Sequence, residues 1–301
     1  MSEKIYFEQP NEIEMNEIVD KALNDLPELA REIIAQNSDL REDRNWQFFK
    51  KPNDPIEHAP KYHQWGIITH TKQMLEFYHD EILAWTDCWG IKDLVEEHMN
   101  EEIDGRKKSD LFDLAIVLHD IGKFATRKII EKGDKNIINF PEHAEASGKI
   151  IRSPGMVKHF IKKYGLTEVQ IEYIARCAEL HYKLDYLRKN FKKKEMLRIA
   201  DFQVPRYRGE VERIMDECNG YELEVGLIYW ADTLGKTDIR VDGRTDKEVF
   251  ENEKEARREI AQRGINKKLV ASAMQLPANQ ALVEGYLKIW AEKEREEQKT
   301  V

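Results

Sequence analysis

Apolar residues recur at helical spacing along most of this chain. Ile67, His70, Met74, Tyr78 and Ile82 fall at i, i+3, i+7, i+11 and i+15, one stripe of a helix predicted over 65–86. Ile174, Ala178 and His181 make a second stripe, and His143, Ala146, Ser147 and Ile150 a third. Leu111, Leu114, Ala115 and Leu118 lead up to His119, in a helix for which Ser109 is the expected N-cap. An amphipathic helix is predicted over 12–36, with Asn11 as its candidate cap, and another from Ile91 to Ile103. Pro141 favours a helix start at His143, and Pro154-Gly155 should break that helix. A short helix over 156–163 should end at Gly165, and Thr167 should cap the one that carries His181. Further helices read at 194–203, 207–217, 221–235 and 277–299, the last with Leu282, Tyr286, Ile289 and Trp290 on one face.

Between them, 39–64 reads as a long loop with Pro52, Pro55 and Pro60, and 104–108 as a short one. The stretch after Lys123 is expected to be a loop in which Gly133-Asp-Lys turns. No strand pattern longer than four residues stands out. The expected fold is therefore all-α, a bundle whose helices project side chains into a common interior.

Several of those inward positions are polar. His70, His119-Asp120, His143 and His181 sit on apolar stripes or at their ends, on separate helices. A buried ionised carboxylate without a partner costs several kcal/mol. One isolated His-Asp pair at a helix end is ordinarily a hydrogen-bonded cap. Four histidines with carboxylates are hard to satisfy without a cation, and mixed nitrogen and oxygen donors suit a divalent metal.

The wording of these segments resembles the HD-domain superfamily of metal-dependent phosphohydrolases. The ordered set is His70, His119-Asp120, His143, His181 and a final aspartate. Gly66-Ile-Ile-Thr-His70-Thr71, His119-Asp-Ile-Gly-Lys123 and Ala231-Asp-Thr-Leu-Gly-Lys236 are most similar to the HD domain of bacterial CCA-adding tRNA nucleotidyltransferases. The likeness spans roughly 60–240. No Gly-Gly-x-x-Arg-Asp stretch of a nucleotidyltransferase precedes it, and the Gly-Tyr-Pro motif of cyclic-dinucleotide phosphodiesterases is absent.

The resemblance implies an HD helical bundle over 56–240, with a helical extension over 1–55 and a charged helical tail over 241–301. It implies metal ligation by His70, His119, Asp120, His143, His181 and Asp201. Asp201 is the first choice for the last ligand because Leu-Arg-Ile-Ala precedes it, and Asp232 is the alternative. One or two ions of Mn, Fe, Ni, Co, Zn or Mg are expected, with Asp120 able to bridge two.

The expected reaction is hydrolysis of a nucleotide or nucleic-acid-end phosphate by metal-activated water, a 2′,3′-cyclic phosphodiester or a 2′-phosphate among them. Asp120, His143, His181 and Lys123 are the expected catalytic residues, with His143 and His181 either holding a second ion or contacting phosphate. Lys123 can equally serve as a C-terminal cation on the helix dipole. Lys183 and Arg206 are the further phosphate contacts expected from the basic run 183–198 and its sequel. Trp46, Phe48, Phe49, Tyr62 and Trp65 are loop aromatics suited to core packing or to stacking on a base. The rival expectation is a non-catalytic, metal-containing interaction module, although structural metal sites more often use thiolates.

Composition narrows the setting. Net charge is −9, from 48 basic and 57 acidic residues, which argues against a nucleic-acid coat. No run of 18 apolar residues occurs, and the first residues lack a basic region followed by an apolar core. Cys88, Cys177 and Cys218 are odd in number and widely spaced, so a reducing, cytoplasmic setting is expected, with no membrane partner. The tail helix is expected to pack back on the domain, with a homo-oligomer contact or a substrate-positioning lid as the alternatives.

Overall fold

The computed structural model describes residues 15–36, 63–132, 135–193, 207–243, 245–264 and 270–299. Its architecture is all-α, with two small β-hairpins inserted between helices. Helix α1 spans Met15–Gln36 and α2 Ile67–Phe77. A π-turn over Tyr78–Ile82 follows, then α3 (Leu83–Cys88) and α4 (Lys92–Met99).

The stretch expected to be a loop before the His119 helix is a hairpin. Strands β1 (Glu102–Ile103) and β2 (Arg106–Lys107) pair across Asp104-Gly105, both of which have positive φ, as a tight two-residue turn demands. Helix α5 (Lys108–Leu118) therefore starts one residue before Ser109, with extended Lys107 at its N-cap. Every residue of α5 from Leu111 to Leu118 is buried, because α1, α2 and α9 all pack on it. That is the environment of a central helix rather than of an amphipathic surface one.

After α6 (Lys123–Thr126) the chain makes a second hairpin, β3 (Lys128–Lys132) with β4 (Lys135–Asn139), Ile130 opposite Ile137. A loop was the expectation here. The β-branched pairs Ile129-Ile130 and Ile137-Ile138, flanking Gly133-Asp134, are a hairpin signal too short to stand out by periodicity. Helix α7 (His143–Ile151) follows. Pro154, expected only to break it, also opens α8 (Pro154–Tyr164), since a proline at N1 lacks only a donor that would be unused there. Helix α9 (Glu168–Leu180) begins with the capping box of Thr167 and Gln170, and α10 spans Lys183–Lys193.

Helix α11 (Arg208–Cys218) leads to α12 (Glu222–Leu234), buried at every position from Leu223 to Leu234. Helix α13 (Asp246–Gln262) opens with a Thr245–Glu248 capping box, and α14 (Val270–Ala273) packs on it around Ile239, Val241, Ala256 and Ile260. Helix α15 (Leu276–Gln298) lies along α12 so closely that Gly226 touches Leu287. Leu26 of α1 and Trp290 of α15 belong to the same apolar core as α5 and α12. No helix among the described residues is long and apolar enough to cross a membrane.

Candidate metal centre

The site forms where α2, α5, α7, α9 and α12 converge. His119 is the C-cap of α5, and its Nδ1 donates to the Ile116 carbonyl at 2.7 Å. His181 is the C-cap of α9, and its Nδ1 donates to the Ala178 carbonyl at 2.6 Å. Carbonyls in the last turn of a helix have no intrahelical partner, so an imidazole N–H three residues on can satisfy one. His143, at the first position of α7, donates in the same i−3 fashion to Phe140 at 2.9 Å. His70 of α2 donates to Gly235, the C-cap of α12, at 2.9 Å.

A carbonyl can only accept, so in all four rings Nδ1 carries the proton. In the neutral ring each Nε2 is then a lone pair, and these lone pairs converge around Asp120. Asp120 Oδ2 lies 3.2 Å from His119 Nε2 and 4.0 Å from His70 Nε2. Its Oδ1 lies 3.5 Å from His143 Nε2 and 3.8 Å from His181 Nε2. Asp232 Oδ1 sits 3.0 Å from His70 Nε2. Holding the unused ring nitrogen on a carbonyl is how proteins fix a histidine for metal ligation.

Electrostatics keep the donors ready. Burial lowers the pKa of His143 to about 4, helped by the Lys123 ammonium, and that of His181 to about 3, helped by His119 and His143. Burial also lowers His70, against the pull of Asp232. Burial alone would raise both carboxylates, but His119 and Lys123 outweigh it at Asp120, and Lys236 and His70 at Asp232, so both stay well below the usual range. Lys123 Nζ contacts Asp120 Oδ2 at 2.5 Å, and Lys236 Nζ contacts Asp232 Oδ2 at 2.6 Å.

Neutral imidazoles beside ionised carboxylates are the donor set a divalent ion takes. The groups His70–His119–Asp120 and Asp120–His143–His181 each bring three ligand atoms within 4.8 Å of one another, so they could hold a metal ion. His119 Nε2 is fully buried and meets no hydrogen-bond partner among the described residues. A lone pair left so is costly unless something occupies the space before it. The residues fit the metal on that ground.

Two glycines make the convergence possible. A Cβ on Gly122 would lie 2.1 Å from the His143 carbonyl oxygen, so the first turn of α7 could not seat on the His-Asp turn. Instead Ser147 Oγ accepts from Gly122 N at 2.9 Å and lies 2.6 Å from the His119 carbonyl, tying α7 to that turn. A Cβ on Gly235 would lie 3.0 Å from Met74 Cα, so its absence lets α12 approach α2 and offers His70 its carbonyl.

Asp232, the alternative last ligand, contacts His70; Asp201, the first choice, lies outside the described residues, as do Arg206, Trp46, Phe48, Phe49 and Tyr62. Lys183 is held by Glu217 of α11 at 3.0 Å. It does not line the cavity over the centre, whereas Arg188 and Lys189 of the same helix do. His63 went unnoticed in the sequence. It is buried, 4.9 Å ring to ring from His70, and forms a third ligand group with His70 and Asp232. It lies before a helix, where no periodic pattern marks it; only its closeness to the His70 motif could have drawn notice.

The centre opens into a cavity of about 390 Å³ lined by His63, Lys123, Phe140, His143, His181 and Asp232 among others. A wider apolar groove between α8 and α9, at Val157, Ile161 and Val169, holds none of these ligands. No family model and no curated protein matches this chain.

Proposed function

We propose that this protein is a metal-dependent phosphohydrolase acting on a nucleotide or a nucleic-acid-end phosphate. One observation carries the reading: four histidines donate Nδ1–H to main-chain carbonyls and bring Nε2 to within 4.0 Å of the Asp120 carboxylate, that of His70 lying nearer still to Asp232. The resemblance of the His70, His119-Asp120, His143, His181 series to the HD superfamily supports it. So does a cavity beside the centre that carries four cationic side chains, Lys123, Lys189, Lys236 and Arg188.

His70, His119, Asp120 and Asp232 would hold one ion, with His63 beside them. Asp120, His143 and His181 would hold a second. When bound, such ions offset phosphoryl charge and lower the pKa of water. With Nδ1 committed to carbonyls and burial disfavouring the cation, His143 and His181 suit ligation better than proton donation at neutral pH. Lys123 holds Asp120 ionised and lies at the cavity wall, placed to share its charge with a phosphate oxygen. Lys236 does the same for Asp232. Ser147 keeps His143 in register with the His-Asp turn.

Elemental analysis of purified protein, followed by hydrolysis assays with the metal found, tests this. One or two equivalents of a transition metal per chain, and phosphate release that disappears in His119→Ala with helicity intact by circular dichroism, are expected. Protein that takes up no ion, or a loaded form that releases no phosphate from any of a panel of phosphoesters, would overturn it.

A further inference from the structure

The cavity over the metal centre is not built by the ligand-bearing helices alone. Ser272, Gln275 and Asn279, from α14 and the start of α15, line it too. They meet Arg188 of α10 and Tyr229 and Thr233 of α12 there. Nothing in the phosphate chemistry uses Gln275, Asn279, Tyr229 or Thr233, yet their surroundings are oriented.

Arg188 donates Nε and Nη2 to Asp185 Oδ1, at 3.0 and 2.6 Å, and Nη1 to Gln275 Oε1 at 3.0 Å. A guanidinium has no acceptor, so the Gln275 amide must face it with oxygen and keep its NH2 for something else. The Tyr229 hydroxyl donates to Asn279 Oδ1 at 3.2 Å, which likewise leaves the Asn279 NH2 over. Among the described residues neither NH2 meets an acceptor. Thr233 Oγ1, on a residue only 3% exposed, has no partner among them either.

Of these three groups the buried Thr233 Oγ1 is costly to leave unpaired, and the two amide NH2 groups belong to residues lining the same cavity. Their character says what would bind. Two are pure donors and the third is a hydroxyl. The carboxylates of this cavity are already matched, Asp185 by Arg188 and by Lys189 at 2.6 Å and Asp232 by Lys236. The wall therefore wants hydrogen-bond acceptors without requiring charge. Phe140 and Tyr182 line the same cavity and offer aromatic faces. A volume of about 390 Å³ lies at the small end of the ~300–1,000 Å³ range of small-molecule sites.

We infer that Gln275, Asn279 and Thr233 form a specificity wall that reads the carbonyl edge of a nucleobase, so that the preferred substrate is a nucleoside monophosphate with a keto base. The inference rests on the phosphohydrolase reading for its phosphate end only; the wall itself follows from the spare donors. The C-terminal segment is thus part of the substrate site.

The test compares uridine 5′-monophosphate, adenosine 5′-monophosphate and p-nitrophenyl phosphate on the full metal-loaded chain, by kcat/KM and by calorimetric binding of the two nucleotides. Uracil has two carbonyls and adenine none. Wild type should favour the uridine nucleotide at least tenfold over the adenosine one. Asn279→Asp and Gln275→Glu keep the contacts to Tyr229 and Arg188 and remove the NH2 donors, and Thr233→Val removes the hydroxyl. Each of the first two should cut the uridine-to-adenosine ratio about tenfold, and lower the uridine nucleotide's kcat/KM more than that of p-nitrophenyl phosphate.

An equal loss on all substrates, or an unchanged ratio, would overturn the inference. Turnover of p-nitrophenyl phosphate without nucleotide discrimination sinks the wall and leaves the phosphohydrolase standing. Preferential binding of the uridine nucleotide, erased in the variants but with no turnover of any ester, does the reverse.

Discussion

His143 and His181 face each other through their Nε2 atoms at 3.3 Å, each with its Nδ1–H already given to a carbonyl three residues back. Two neutral rings in this arrangement oppose lone pair to lone pair. The pair is repulsive unless a proton or a metal ion stands between or before them. Burial disfavours the proton, which leaves the cation as the natural partner.

That relationship sets a pH dependence for the metal-free protein. The folded pKa values, about 4 for His143 and about 3 for His181, lie below the ordinary 6.5. The unfolded chain therefore binds more protons than the folded one between those limits, and stability must fall as pH drops from about 6.5 toward 4. Across the full window the contribution is on the order of 3 kcal/mol for His143 and about 5 kcal/mol for His181. Urea midpoints of chelator-treated protein, flat from pH 8 to 7 and falling steadily below 6.5, would bear this out; a midpoint unchanged down to pH 4.5 would not.

Metal restoration should act in the opposite direction. An ion that binds only the folded chain adds RT ln(1 + [L]/Kd), about 2.7 kcal/mol at a hundredfold excess over Kd. Adding the native metal to stripped protein should raise Tm by several degrees at pH 7.5, and chelator should reverse it. Identical melting curves would mean that the histidine cluster is satisfied without a cation.

Asp232 contacts both His70 and Lys236, so its loss is the one expected to empty a metal site. Asp232→Asn is expected to lower bound metal by about one equivalent per chain and to abolish turnover, while Asp201→Asn keeps its metal. Metal content by emission spectrometry decides between them, and the converse result would hand the role to Asp201.

Ser147 and Gly122 join α7 to the His-Asp turn. Ser147→Ala leaves the Gly122 N–H and the His119 carbonyl buried without their partner, at a cost of about 1–3 kcal/mol. Gly122→Ala must also displace the His143 backbone, so its loss should be larger, ~3 kcal/mol or more. Urea denaturation of both variants should rank them in that order, with the Ser147→Ala protein still folded but weaker for metal.

Much of the helical scaffold could be read directly. The stripes on α2, α7 and α9, the break at Pro154-Gly155 and the Thr167 cap follow from spacing and capping chemistry that act within a few residues. The hairpins around Asp104-Gly105 and Gly133-Asp134 were missed because strands of two to five residues carry almost no periodic signal. Lys183 and Lys189 look alike in a basic run; which one meets the cavity depends on the turn of α10 against α11 and α12.

From the sequence alone come an all-α chain and four histidines with one aspartate poised on inward helix positions. Local physics suffices for that, since helical period and the i−3 carbonyl set where His119, His143 and His181 point. That Asp232 reaches His70, that His63 lies beside it, and that Gln275 and Asn279 line the cavity were decided by tertiary structure. Those contacts join segments far apart in the chain, through a bare Gly235 against Met74 and a tail helix along α12, and no local pattern encodes how two helices dock.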